Sequence, residues 1–367
     1  MLYRLNVTER FQIVTENLEE TVTPDELRGL LESENHPRAY WGFEPSGLMH
    51  LGTSLLCGYK ILDLVDAGFD FTIFLADWHA WINNKLGGSM DDIRFCGEYF
   101  IQGFSSIGLT PDKVRYVWAS ELMEQPGYLE TTIRVGKNVN LTRIHRCIPI
   151  MGREMDSKDM EAAALFYPCM QVADIFQLKL DCACAGIDQR KAHMLARDVA
   201  KKMGRKKPIC LHTHLLIGLT GTAEDRSAAK FDEDLTISQE IGTKMSKSIP
   251  ENCIYIHDSP AEIRDKVAKA YCPPKVEEGN PILEIARYIL FRRGGSLSVE
   301  RSAKYGGSVD FHSYAELERS YVEGGLHPLD LKNSVAEALI RLLDPVRSYF
   351  KSKQKMLQRM GELEATR

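Results

Sequence analysis

The distribution of apolar residues divides the chain into two parts. Up to about residue 216, short apolar runs typical of buried strands alternate with segments in which apolar residues recur every three or four positions. The runs that predict strands are Ala39–Phe43, Phe71–Ala76, Val114–Trp118, Asp181–Ala185 and Ile209–Leu216. Such alternation predicts parallel strands joined by crossover helices, which is a Rossmann-like α/β fold.

Two segments depart from this alternation. The stretch from about 121 to 163 is predicted to be a helical insertion, with helices over Tyr128–Gly136 and Thr142–Gly152. The segment Thr220–Thr243 is polar and has no clear periodicity, which predicts a loop.

From Ser259 onward the pattern predicts helices alone. A capping box, Ser259-Pro260-Ala261-Glu262, begins the first of them. The predicted helices cover about 259–271, 281–293, 313–323 and 328–360. We therefore expect a Rossmann-like parallel-sheet domain over 1–257, with its helical insertion, and an all-α C-terminal domain over 258–367.

Composition and charge restrict the class of protein. The chain has 367 residues and a net charge of −5, so any nucleic-acid surface must be a local basic patch. It contains neither an apolar run of membrane-spanning length nor a signal-peptide pattern. The nine cysteines are scattered, and Cys182 and Cys184 have no second pair at zinc-ligand spacing. We expect reduced thiols, no bound metal and a cytoplasmic location.

A glycine-rich turn follows the first predicted strand. It runs Gly42-Phe43-Glu44-Pro45-Ser46-Gly47 and continues to His50-Leu51-Gly52, directly before a predicted helix. Glycines allow close approach of the backbone, and a helix N-terminus favours anions. His50 can donate to phosphate oxygens, and Gly52 leaves room for a flat adenine ring. A plain strand-to-helix turn is the alternative interpretation.

A second motif, Lys244-Met245-Ser246-Lys247-Ser248, lies between the last predicted strand and the helical part. Two lysines on such a loop can stabilise the charge that develops on departing pyrophosphate. The alternative is a solvated basic loop.

The two motifs together resemble the paired signature of class I aminoacyl-tRNA synthetases. Over nearly its whole length the chain is similar to the archaeal and eukaryotic tyrosyl-tRNA synthetases. The segments that carry this resemblance are 39–52, 75–80, 167–197, 244–248 and 327–337. The resemblance implies activation of L-tyrosine with ATP and Mg²⁺, transfer to tRNA(Tyr), an anticodon-binding role for the helical domain, and a homodimer.

The third motif concerns the amino acid. Tyr167, Gln171 and Asp174 are spaced four and three apart, which places them on one face of a helix. By resemblance, Tyr167 and Gln171 hold the substrate ammonium group, and Asp174 with Tyr40 binds the phenolic hydroxyl. A buried carboxylate aimed at a hydroxyl is left unpaired by phenylalanine, at a cost in free energy. A surface carboxylate and a core aromatic are the alternatives for Asp174 and Tyr167.

The resemblance assigns the remaining site residues. It assigns a catalytic role to His50, Lys244 and Lys247, and it adds Glu44 and Gln189 to the tyrosine-binding residues. ATP is assigned to His50, Gly52, Asp188, Lys244 and Lys247, and tRNA to Arg190, Lys191, Tyr305, His327 and Asp330. One departure from the family pattern is that Thr53 follows Gly52 where the signature usually has a second histidine.

Three other functions are compatible with parts of this pattern. A tryptophanyl-tRNA synthetase shares the lysine loop, but indole has no hydroxyl for Tyr40 and Asp174. A small-molecule nucleotidyltransferase does not need the helical C-terminal part. A non-enzymatic RNA-binding paralogue does not need the combination of His50, Asp188, Lys244 and Lys247.

Overall fold

A six-stranded sheet forms the centre of the molecule. The computed structural model describes residues 5–152, 160–221, 232, 234–247 and 249–365. The strands are β1 (Leu18–Val22), β2 (Arg38–Phe43), β3 (Asp70–Leu75), β4 (Arg115–Trp118), β5 (Cys182–Gly186) and β6 (Ile209–Thr213). They lie in the order β1–β6–β5–β2–β3–β4. The five predicted strands run parallel to one another, which confirms the predicted fold class, whereas β1 was not predicted and pairs antiparallel with β6 at the edge.

Helices cover both faces of the sheet and form most of the C-terminal part. They are α1 (Val7–Thr15), α2 (Pro24–Ser33), α3 (Cys57–Asp66), α4 (Asp77–Ile82), α5 (Met90–Ser106), α6 (Ala119–Met123), α7 (Tyr128–Lys137), α8 (Leu141–His145), α9 (Tyr167–Gln177), α10 (Arg190–Ala200), α11 (Leu235–Thr243), α12 (Pro260–Lys269), α13 (Pro281–Ile285), α14 (Tyr314–Val322), α15 (Pro328–Phe350) and α16 (Gln354–Ala365). Within the described ranges, each helix is too short or too polar to cross a bilayer.

The central strands are buried on both faces, so their alternate side chains enter two different cores. Trp41 and Phe43 of β2 pack in the core beneath α5, whereas Tyr40 packs in the core that contains α9. In β5, Cys182 likewise packs in the first of these cores and Ala183 in the second. Two-sided burial explains why these strands are continuous apolar runs instead of alternating patterns. The side of the sheet that carries Tyr40 also carries the third sequence motif.

Two predictions about secondary structure need correction. The segment Thr220–Thr243, predicted as a loop, ends in the helix α11, which Asp234 begins by accepting hydrogen bonds from the N–H groups of Thr236 and Ile237. Residues 222–231 lie outside the described part of the chain. The C-terminal part also contains a short hairpin, β7 (Leu297–Val299) with β8 (Val309–Phe311), where helices alone were predicted. A three-residue strand is too short to produce a readable alternation.

The C-terminal helices return to the first sequence motif. Helix α15 packs against α12 and α5, and α16 follows it back along α5. At the end of α16, Oε1 of Glu364 accepts a hydrogen bond from the N–H of Leu48 at 2.8 Å. The next N–H, that of Met49, donates to the Tyr99 hydroxyl at 3.1 Å. The backbone just before His50 is therefore fixed by side chains from α5 and from the far end of the chain.

Close packing of α5 against β4 gives a test of this architecture. A Cβ atom on Gly97 would lie 2.3 Å from the Trp118 ring, whereas a Cβ on Gly29 of α2 would meet nothing within 4 Å. We predict that Gly97→Ala destabilises the protein by about 1–3 kcal/mol through overpacking. Gly29→Ala should instead stabilise it by up to about 1 kcal/mol, because alanine is the better helix former.

Denaturant unfolding of the two variants beside the parent chain measures both effects. A Gly97→Ala variant as stable as Gly29→Ala would contradict the packing of α5 on Trp118.

Candidate functional site

A cleft opens where the parallel strands end. Its volume is about 730 Å³, and it lies at the carboxyl ends of β2, β3, β5 and β6. The strand order reverses here, since the chain leaves β2 toward β3 on one side and returns to β5 on the other. Open α/β sheets bind ligands at such a reversal. The cleft brings together every predicted tyrosine- and ATP-site residue: Tyr40, Glu44, His50, Gly52, Tyr167, Gln171, Asp174, Asp188, Gln189, Lys244 and Lys247.

The carboxylate of Asp174 is the most deeply buried charge in the cleft. Helix α9 presents it toward the sheet, and only 2% of the residue is exposed. Its Oδ1 accepts a hydrogen bond from the Tyr128 hydroxyl at 2.6 Å, and its Oδ2 lies 3.2 Å from Nε2 of His79. A carboxylate has about four acceptor positions, so Asp174 retains capacity for a further hydroxyl donor.

Two residues beside Asp174 were not expected from the sequence: His79, which lines the cleft, and Tyr128, which contacts Asp174 without lining the cleft among the described residues. His79 lies just beyond β3, on α4, where Asp77 accepts hydrogen bonds from Ser120 and anchors the turn. Burial opposes protonation of His79, but the charges of Asp174 and other nearby carboxylates outweigh it and raise the pKa of this imidazole. Position at a strand's carboxyl end could have indicated His79. The sequence around Tyr128 does not indicate its role, because Tyr128 lies in the insertion and contacts Asp174 only in the folded chain.

A second acidic position lies across the cleft on the turn after β2. Glu44 accepts a hydrogen bond from the Tyr167 hydroxyl at 2.6 Å and lies within 3.2 Å of the Asn83 amide nitrogen. Nζ of Lys85 is 3.6 Å away. Burial and the charge of Glu44 raise the pKa of Tyr167, so its ring stays a neutral hydrogen-bonding group. Glu44 and Tyr167 thus form a polar end suited to a cationic group.

Two amide side chains, Gln171 and Gln189, lie between Asp174 and Glu44 in the cleft. Gln171 donates to Oε1 of Gln189 at 3.4 Å, and Gln189 donates to the carbonyl of Ile150 in the insertion at 2.8 Å. Gln171 also contacts the Tyr40 hydroxyl, whose pKa is raised by burial and by Asp174. Tyr40 is therefore a neutral phenol able to share a hydroxyl ligand with Asp174.

The glycine-rich motif places His50 beside the lysine loop. The backbone N–H of Gly52 donates to Nδ1 of His50 at 3.2 Å, and the Thr53 hydroxyl lies 3.1 Å from Nε2. The predicted helix begins with a π-helical turn, Gly52–Leu56, a distortion that is frequent at functional sites. Burial, together with the charges of Lys247 and Lys244, lowers the pKa of His50 to about 3.

The two lysines of the second motif contact residues of the glycine-rich turn and of the segment after β5. Nζ of Lys244 lies 2.7 Å from Oδ2 of Asp188, and Nζ of Lys247 donates to the Ser46 hydroxyl at 2.9 Å. The loop is attached through its backbone, since the N–H of Met245 donates to the carbonyl of Leu216 at 2.6 Å. Residues far apart in sequence thus form one cationic end of the cleft.

Comparison with known proteins agrees with this geometry. The family model described as tRNA synthetases class I (W and Y) matches residues 32–344. The curated tyrosine–tRNA ligase of Aeropyrum pernix is 49% identical over 94% of both chains, and that of Sulfurisphaera tokodaii is 47% identical over 98% of this chain and 97% of its own. This chain belongs to the class I tyrosyl-tRNA synthetases. Membership of this family agrees with the buried carboxylate of Asp174 and with the two motifs that contain His50 and Lys244.

Two solved structures of the family match the fold. The Aeropyrum pernix tyrosyl-tRNA synthetase superposes with a TM-score of 0.85 at 44% identity, covering 98% of this chain and all of that one. The Pyrococcus horikoshii enzyme, solved in complex with L-tyrosine, gives a TM-score of 0.90 at 43% identity with the same coverage. The family resemblance inferred from the sequence is confirmed.

The residues predicted to bind tRNA lie outside the described lining of the cleft. Arg190 forms two-pronged contacts of 2.8–3.0 Å with Glu20 of β1, and Lys191 lies 3.2 Å from Asp232. His327 caps α15 by accepting from the N–H of Leu329 at 3.1 Å, with Asp330 in the same first turn. Tyr305 ends a short 3₁₀ turn, and its side chain is outside the described part of the molecule.

The lowered pKa of His50 leads to a prediction about its charge. A free histidine has a pKa of about 6.5, and that of His50 is about 3, so its imidazole should stay neutral from pH 8 down to pH 5. Imidazole NMR, assigned with a His50→Gln variant, should show no titration of His50 in this range. Lys247→Ala should raise the pKa toward 6.5, since it removes a nearby positive charge. A midpoint between pH 6 and 7 in the unaltered protein would contradict the arrangement.

Proposed function

We propose that the cleft activates L-tyrosine with ATP, giving tyrosyl-adenylate and pyrophosphate, and then transfers the tyrosyl group to the 3′ end of tRNA(Tyr). The observation that supports this most directly is the presence of a buried Asp174 pocket and two phosphate motifs in one cleft. An amino acid with a hydroxyl at its far end fits between them, with its carboxylate toward the lysines.

Each end of tyrosine has a matching partner in this proposal. The phenolic hydroxyl donates to Asp174 and is shared by Tyr40, while Tyr167 and Gln171 hold the ammonium group beside the carboxylate of Glu44. Gln189 orients the carboxylate or the ammonium group of the substrate. The hydrogen bonds that tie Tyr167 to Glu44 and Gln171 to Gln189 support these assignments, because they fix the rotamers before substrate binds.

ATP is assigned to the other end of the cleft. Asp188 accepts from the ribose hydroxyls, Gly52 makes room for the adenine, and His50, Lys244 and Lys247 contact the phosphates. The tyrosine carboxylate attacks the α-phosphate in line, and the lysines stabilise charge on the departing pyrophosphate. Positioning and charge stabilisation suffice, so the step needs no general base. Mg²⁺ accompanies ATP, held mainly by phosphate oxygens and water.

The tRNA contacts extend beyond the cleft. Arg190 and Lys191, which begin α10 next to Asp188 and Gln189, are proposed to lie near the acceptor end. Tyr305, His327 and Asp330 are proposed to contact the anticodon, in a C-terminal domain that begins near residue 258. The terminal ribose hydroxyl of the tRNA then attacks the adenylate carbonyl, which forms the ester, breaks the anhydride bond to the phosphate and releases AMP. We place this reaction in the cytoplasm, where its tRNA partner is used.

Replacement of Asp174 tests the tyrosine site. Asp174→Ala should lower the ratio of kcat/KM for tyrosine over phenylalanine, measured by ATP–pyrophosphate exchange, by about 10- to 100-fold, the equivalent of about 1–3 kcal/mol. The KM for ATP should remain unchanged, because Asp174 lies at the far end of the cleft from Lys244.

The control is Asp265→Ala, which removes an exposed carboxylate that pairs with Lys269 on the same helix. It should leave the tyrosine-to-phenylalanine ratio unchanged. If Asp174→Ala preserves that ratio while ATP binding fails, the assigned role of Asp174 is wrong.

We also propose that the chain acts as a homodimer through the helical insertion. Leu129 and Ile133 of α7 are 69% and 53% exposed, and their spacing of four places them on one helix face. Leu141, at the start of α8, is 68% exposed. Large exposed apolar side chains on one face mark protein–protein contacts more often than isolated ones do.

The oligomeric state tests this proposal. The unaltered protein should sediment at micromolar concentration with about twice its 41.6 kDa chain mass. Introducing two charges with Leu129→Glu and Ile133→Glu should shift it to monomer, whereas Val322→Glu, on an apolar position of α14 that is 43% exposed, should not. A monomeric parent protein at this concentration would exclude the dimer.

A further inference from the structure

An imidazole lies among carboxylates from three different elements behind the lysine loop. Nδ1 of His214, just beyond β6, is 3.6 Å from Glu19 of β1, and its Nε2 is 3.1 Å from Oε1 of Glu284 on α13. The ring stacks on Tyr288 at 4.7 Å, nearly parallel to it. Glu240 of α11 is a third carboxylate within electrostatic range. The cluster joins the sheet to α11 and to the C-terminal helices.

Glu284 connects this cluster to the backbone beneath the lysines. Its second oxygen, Oε2, accepts a hydrogen bond from the N–H of Ile217 at 2.8 Å. Ile217 forms a β-bridge with Lys244, and the flanking backbone bonds join Leu216 to Met245 and Gly218 to Thr243. Glu284 therefore contacts the strand-like segment that pairs with the beginning of the lysine loop.

Charge balance in the cluster depends on the state of His214. Glu19, Glu240 and Glu284 repel one another, and Asp234 adds to the negative charge near Glu240. The hydrogen bond with His214 and, less strongly, the positive charge of Arg287 lower the pKa of Glu19. Burial and the negative charge of Glu19 raise the pKa of Glu240, whose Oε2 is buried without a hydrogen-bond partner among the described residues.

His214 itself is held in the cationic form over the physiological range. Burial of the ring opposes protonation, but Glu19 and Glu284 outweigh it and raise the pKa of His214 to about 9. A raised histidine pKa means that the stabilising charge is fully present below the ordinary value of about 6.5 and is lost as pH rises through about 9.

We infer that His214 is a positioning residue for the adenylation step: its imidazolium holds Glu284 on Ile217 and so fixes the loop that carries Lys244 and Lys247. His214 also lines the cleft, and in this inference it acts through its contact with Glu284 and not on a reacting atom. The inference rests on the proposed role of the two lysines with ATP, and it adds a path by which the C-terminal helices set the geometry of the ATP site.

Exchange kinetics of matched variants test it. His214→Gln should raise the KM for ATP about tenfold at pH 7, with the KM for tyrosine unchanged, because a charge-assisted contact of Glu284 is lost. Glu284→Gln retains an acceptor for the N–H of Ile217 but removes the negative charge that His214 neutralises. The double variant His214→Gln/Glu284→Gln should therefore be less impaired than His214→Gln alone. His36→Gln, on the exposed loop just before β2 and so at the amino end of that central strand, is the control and should match the parent.

The pH profile separates positioning from simple stabilisation. In the parent, the KM for ATP should rise as pH increases through about 9, whereas in His214→Gln this rise should be absent. A His214→Gln variant with the parent's KM for ATP, or with equal losses for ATP and tyrosine, overturns the inference. Lys244→Ala, measured alongside, keeps the two proposals distinct: if it retains the parent's exchange activity, the role of the lysines is wrong instead.

Discussion

The reversal of strand order between β2 and β5 is the constraint on which the cleft depends. Neighbouring strands of a parallel sheet are covered by helices on both faces, but where the chain turns in opposite directions the loops diverge and leave a crevice. The turn after β2 supplies Glu44 and His50, and the end of β5 supplies Asp188 and Gln189. Residues more than 130 positions apart therefore meet without any long loop, and the rigid sheet holds them in register.

The buried carboxylate of Asp174 gives this crevice its chemical character. A buried charge is tolerated only when it is paired and hydrogen-bonded, and Tyr128 and His79 provide that pairing from the insertion and from α4. The same low-dielectric surroundings make an unmatched ligand costly. In the proposed function, a hydroxyl at the far end of the amino acid pairs with Asp174 and Tyr40, whereas a bare ring leaves their free hydrogen-bonding positions unmatched. Selectivity would then follow from the burial of Asp174 as much as from its chemical type.

The sequence predicts those parts of the fold and site that depend on local periodicity or fixed spacing. The five parallel strands follow from apolar runs, and the common direction of Tyr167, Gln171 and Asp174 follows from helical spacing. Contacts set by tertiary packing leave no such signal: Tyr128 reaches Asp174 from a separate helix, and Glu20 meets Arg190 only because β1 joins the sheet edge. The helix α11 lies in a segment whose polar composition hides its short apolar face.

In the proposed function, the buried and paired carboxylate of Asp174 recognises a single hydroxyl group of the substrate. Titration calorimetry with L-tyrosine and L-phenylalanine tests it directly, since the two ligands differ only in that hydroxyl. Tyrosine should bind at least about tenfold more tightly, because phenylalanine leaves one buried polar group unmatched. Equal affinities for the two amino acids would contradict it.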